Sequence, residues 1–93
     1  MFKRKYKIVL ELDVSGNIAN LERIALKFRQ DILNVAFNIN VGNEIKRFYI
    51  DIGNDPHRTT LVAHMWVKMS KREYIRFLLE IYQKYQDNNL NIS

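Results

Sequence analysis

From Tyr6 to Val14 every second residue is apolar, with Tyr6, Ile8, Leu10, Leu12 and Val14 on one side and Lys7, Glu11 and Asp13 between them. A period of two with charge opposite apolar groups describes a strand with one wet and one dry face. A sheet of such strands must cover its dry face, and in a chain of 93 residues that cover is a layer of helices. Folding at this size buries roughly 60% of the unfolded surface, so small domains lean on disulfides, metals or oligomerisation. The chain has no cysteine and two histidines, His57 and His64. Disulfides, thiolate metal sites and thiol chemistry are excluded, and an all-protein metal site is not expected. What remains is a well-packed core and a homo-oligomer, with no cofactor.

The most sharply written helix lies near the C-terminus. Ser70 and Glu73 form a capping box, and Met69 can staple onto Tyr74. After this start Tyr74, Ile75, Phe77, Leu78, Leu79, Ile81, Tyr82 and Tyr85 cover more than half of the circumference. One side must lie on the sheet. The surplus should meet another helix and a second subunit, because soluble monomers avoid large exposed apolar patches. An earlier helix is expected from an N-cap at Asn17 to about Asp31, with Leu21, Ile24, Ala25, Phe28 and Ile32 as its stripe; Leu26 lies off that stripe.

Between the helices three strands are expected. Val35, Phe37, Ile39 and Val41 alternate with polar or small residues, and Gly42-Asn43 suggests a two-residue hairpin. Phe48, Ile50 and Ile52 continue the dry face. After the polar loop 53–58, Leu61, Ala63, Met65, Val67 and Met69 alternate with Thr60, Val62, His64, Trp66 and Lys68. The expected order is β-α-β-β-β-α, an α+β two-layer sandwich with a four-stranded sheet and two helices on one face. The first strand should run parallel to its neighbour. One domain over residues 1–87 and a flexible tail at 88–93 complete the organisation.

Net charge is +5, and Lys3, Arg4, Lys5 and Lys7 crowd the N-terminus. A basic balance favours polyanionic partners. No apolar segment follows these charges as in a signal peptide, and no run approaches the ~18 residues of a membrane span. A cytoplasmic, non-membrane protein is expected.

The open sheet face is the candidate binding surface. The expected registers set Asn38–Arg47–His64, Asn40–Ile45–Trp66 and Ala36–Tyr49–Val62 in rows, with Lys5, Lys7 and Lys68 nearby. Aromatic rings among cations suit single-stranded nucleic acid, because rings stack on bases while cations follow the phosphates. Lys71 and Arg72, at a helix start, could add a phosphate contact. The competing reading buries surface between protein subunits: the sheet face through Ile45, Val62 and Trp66, the surplus helix surface through Leu78, Tyr82 and Tyr85 with Leu26 beside it, or both. Asp55, His57 and Arg58 share a loop but read as a turn rather than a catalytic cluster, and no Walker, GxGxxG or HExxH motif occurs. No catalytic residue is assigned.

Two resemblances accompany this reading. Ser70-Lys71-Arg72-Glu73-Tyr74 and the expected α-β-β-β-α order from residue 18 resemble double-stranded-RNA-binding domains, which implies phosphate contact at that helix start. The strand–helix–strands–helix order with a long apolar last helix resembles the small dimerisation subunit of the tRNA threonylcarbamoyladenosine complex, with Arg72 as the matching residue. It implies a dimeric accessory subunit of a larger protein complex.

Overall fold

Alternation in the first strand and capping chemistry in the last helix express themselves as read. The computed structural model describes residues 2–86 and 90–92, the side chains of Asn17 and Asn54 excepted. Strand β1 spans Arg4–Asp13, helix α1 Leu21–Asn38, strand β2 Ile45–Asp55, strand β3 Arg58–Met69, helix α2 Lys71–Lys84 and strand β4 Leu90–Ile92. The sheet order is β2-β3-β1-β4, and each neighbouring pair is antiparallel. Ile8, Leu10 and Leu12 of β1 and Leu61, Ala63, Met65 and Val67 of β3 meet Phe28, Ile32 and Val35 of α1 and Phe77 and Ile81 of α2 in one core. The chain is therefore an α+β fold of four strands and two helices in two layers. Its two interlocked β-α-β units are the split arrangement of ferredoxin-like folds.

The element order differs from expectation at two places. Residues 35–38 are not a strand but the last turn of α1. Val35, Ala36 and Ile39 continue the helical stripe of Phe28 and Ile32, so both periods fit this segment and the core decides between them. Asn40 then adopts φ 63. Its N–H donates to the Phe37 carbonyl, and that of Val41 to the Ala36 carbonyl at 2.8 Å. These are the paired bonds of a Schellman cap with Asn in the left-handed position. Gly42-Asn43 accordingly opens a 3₁₀ turn, Gly42–Glu44, rather than a hairpin. The helix begins later than expected too, after a 3₁₀ turn over Ser15–Asn20, and its N-cap position is Asn20, without a side-chain cap. The fourth strand comes from the segment expected to be a flexible tail. Leu90, Glu11's neighbour Asn91, and Ile92 pair with Leu12, Glu11 and Leu10, because burying Leu90 against the core supplies what three residues need. Residues 88, 89 and 93 of that segment lie outside the described residues. Because β3 enters between β1 and β2, β1 runs antiparallel to both its neighbours, not parallel as expected.

The hairpin of the fold joins β2 and β3 through Pro56-His57. Asp55 Oδ1 accepts the backbone N–H groups of His57 at 2.8 Å and Arg58 at 2.9 Å. Those bonds, His57 first, hold the Asp55 carboxyl below its ordinary range despite slight desolvation. Proline at the second turn position and Asp at the first suit this geometry.

Tyr85 locks the two helices together. Its ring meets Phe28 edge-on at 5.3 Å, and its hydroxyl donates to Asp31 Oδ2, which also accepts from Lys27 at 2.9 Å. Burial works against the Asp31 charge, yet the Tyr85 and Lys27 bonds outweigh it and hold the carboxyl below its ordinary 3.8. Burial and the adjacent carboxylate push the Tyr85 hydroxyl up, so it stays protonated as the donor. A carboxyl depressed in the folded state stabilises above its unfolded pKa, and that contribution fades as pH falls through the folded value. Tyr85→Phe should therefore cost about 1–2 kcal/mol at pH 7. The gap to the parent chain should narrow in acid, as urea unfolding at both pH values would report. An equal gap at both would remove Asp31 from the account.

Candidate functional site

The face of the sheet away from the helices is built by the outward residues of β1, β3 and β2. Cross-strand rows read Lys46–Trp66–Lys7, then Tyr49–His64–Val9, then Asp51–Val62–Glu11, with Lys68 opposite Lys5 above them. Successive rows stand about 7 Å apart, two residues of strand rise. Trp66 is 40% exposed and Tyr49 51%. The Tyr49 ring stacks on His64 with centroids 4.6 Å apart and planes 11° from parallel.

These rows differ from the expected ones because β2 carries a bulge between Lys46 and Tyr49, so that Arg47 and Phe48 together oppose one residue of β3. Arg47 takes φ 53 there, a left-handed conformation that costs a non-glycine residue free energy and re-aims its side chain. The bulge lets Ile45, Phe48 and Ile50 all pack toward the helices, where the Arg29 guanidinium lies 5.0 Å from the Phe48 ring centre. It also turns Lys46 outward. Lys46 was missed by the sequence reading, which placed Ile45 on the open face instead. The available signal was the odd-to-even switch of apolar parity between Ile45 and Phe48.

Charge on this face is divided. At the upper end a pocket of about 490 Å³ is lined by Lys5, Lys46, Arg47, Lys68, Trp66, Val67 and Glu44. Glu44 pairs with Lys3 at 3.3 Å. Lys5, Lys7, Lys46, Arg47 and Lys68 make no ion pair or hydrogen bond among the described residues. At the lower end the charges are mixed: Asp51 lies 3.9 Å from His64, and Arg58 lies 3.8 Å from Glu11 and 3.5 Å from Asp55. An anion therefore meets free cations at the upper end and compensated ones below.

Of the expected contact residues, Lys5, Lys7, Arg47, Tyr49, His64, Trp66 and Lys68 come together. Asn38 does not, since it ends α1. Lys71 and Arg72 open α2 in the helical layer, away from this face, and Arg4 sits at the first position of β1 on the helix-side parity. The α-β-β-β-α order shared with double-stranded-RNA-binding domains is not present, because the order from α1 is α-β-β-α-β. Of the expected interface residues, Ile45 and Leu78 pack against the core and Tyr85 is buried within it. Val62 and Trp66 lie on the open face, while Leu26 and Tyr82 are exposed on the helices. Among the described residues no cluster of three His, Asp or Glu side chains could hold a metal, and no helix is long and apolar enough to cross a membrane.

Fold and face define a class, a small α+β module with two helices behind a four-stranded sheet whose other face is open, basic and aromatic. Neither a protein-family model nor a curated protein matches the chain in sequence. Among solved structures it is similar to De novo designed protein Foldit4, with a TM-score of 0.67 and 8% identity over 97% of this chain and 94% of that one. It is also similar to De novo designed protein Ferredog-Diesel, with a TM-score of 0.50 and 10% identity over 100% of this chain and 89% of that one. At those identities the likeness concerns the backbone fold alone.

Proposed function

We propose that the chain is a small cytoplasmic, non-enzymatic binding module that takes single-stranded nucleic acid on its open sheet face. The observation that carries this is Trp66, half exposed and flanked in register by Lys7 and Lys46, with Lys5, Arg47 and Lys68 around the same pocket. An unstacked base gains about 1–3 kcal/mol on an aromatic ring, and unpaired cations gain counterion release from phosphates. Open four-stranded sheets elsewhere read RNA by stacking two or three bases on their aromatics.

The test is a salt titration against a labelled single-stranded oligonucleotide. Log affinity should fall with log salt by about 0.7 for each phosphate neutralised. Replacing both Lys46 and Lys68 with Gln should flatten that slope by about 1.4, two cations at about 0.7 each. Absence of binding at low salt ends the proposal.

A second reading is an accessory subunit, dimeric or held in a larger assembly such as a tRNA-modification complex. Exposed Ile75, Leu79 and Tyr82 at helical spacing on α2 favour it. Trp66 emission separates the two. A blue-shifted spectrum in free protein, with a dimer mass by light scattering, would place the aromatic face between subunits; a water-exposed spectrum leaves it open for nucleic acid.

A further inference from the structure

β1 is longer than the strand beside it. β3 pairs with all of it, from Arg4 opposite Met69 to Asp13 opposite Thr60. On its other side β4 meets only Leu10, Glu11 and Leu12. Among the described residues the edge from Arg4 to Val9 has no strand partner, so its outward N–H and C=O groups form a template for another strand.

What lies above that edge is apolar. α2 sits over β1, where Tyr74 stacks on Tyr6 with ring centroids 3.9 Å apart. Tyr82 borders the same small pocket as Leu90 and Asn91, so its side of α2 looks toward β4. Ile75 stands two turns back on that side, toward the stretch of β1 that β4 does not reach among the described residues, and is 46% exposed. Below the edge, on the open face, stand Lys5 and Lys7, both exposed and unpaired.

We infer that the upper edge of β1 is a strand-addition site for an extended acidic peptide from another protein. Backbone bonds to β1 supply the affinity, as in other strand-addition complexes. Side chains alternate along the added strand. One set enters the strip beside Ile75 and is apolar; the other lies beside Lys5 and Lys7 and is acidic. A second copy of β1 fits poorly, because antiparallel pairing about Tyr6 sets Lys5 of one chain against Lys7 of the other, and like charges directly opposite destabilise. Lys5 and Lys7 are shared with the proposed nucleic-acid face, but the edge and Ile75 are not, so the variants below separate the two readings.

The test uses the 93-residue chain and two short probe peptides, one alternating valine with glutamate and one alternating valine with lysine. The glutamate peptide should bind and slow amide exchange at Arg4–Val9. A Lys5→Glu, Lys7→Glu double variant should shift the preference toward the lysine peptide by about tenfold. Ile75→Glu, a change at a half-exposed position outside the core, should abolish binding, whereas Trp66→Ala should leave it unaltered. Equal binding of both peptides, or protection outside Arg4–Val9, would overturn the inference. So would protection of those amides by self-association without peptide, which would make the occupant a second copy.

Discussion

Phe77→Ala lowers the unfolding free energy by about 3–5 kcal/mol, since Phe77, with Phe28, is one of the largest fully buried side chains. Phe77 is fully buried on the core side of α2, among residues from both helices and both central strands. Its removal takes away transfer free energy and leaves a cavity that a two-layer fold closes poorly. Stability of small domains begins near ~5 kcal/mol, so the variant should hold much of its population unfolded at moderate temperature. Urea unfolding followed by circular dichroism gives the number. Leu79→Ala, half a turn away and exposed, should stay within about 0.5 kcal/mol of the parent. A loss below about 1 kcal/mol for Phe77→Ala would mean that α2 does not close the core as described.

Trp66→Ala weakens single-stranded oligonucleotide binding by roughly 5- to 150-fold, the equivalent of ~1–3 kcal/mol for one lost stack. The salt slope should not change, because no cation is removed; fluorescence anisotropy at several salt concentrations separates these quantities. The fold should survive, since the indole is half exposed. Tyr49→Ala should cost less, because one face of that ring already lies on His64. Should Trp66→Ala bind as tightly as the parent, the ring is not a base platform and affinity rests on the lysines alone.

Much of the candidate face was legible because β1 and β3 alternate without interruption, and parity alone puts Lys5, Lys7, His64, Trp66 and Lys68 on one side. Where parity breaks, reading fails. Ile45 was placed on the open face beside Arg47 and Tyr49, and Lys46 was lost, because a bulge changes which residues face outward while leaving composition untouched. Asn38 was assigned to the sheet because Val35, Phe37, Ile39 and Val41 satisfy a strand period while Phe28, Ile32, Val35, Ala36 and Ile39 satisfy a helical one. Exposed Phe37 is what the strand reading could not anticipate.

By itself the sequence determined what depends on neighbours in the chain. The alternation of two strands, the Ser70–Glu73 capping box, a basic balance without cysteine, and hence an α+β sandwich with one open face all follow from short-range pattern. The tertiary structure decided the end of α1, the recruitment of Leu90–Ile92 as β4, the antiparallel order β2-β3-β1-β4 and the bulge at Arg47. The edge of β1 that has no strand partner among the described residues follows from the same choices. Each of these depends on which distant groups bury one another, and Leu90 becomes a strand residue only when the core and the edge of β1 are already there to receive it.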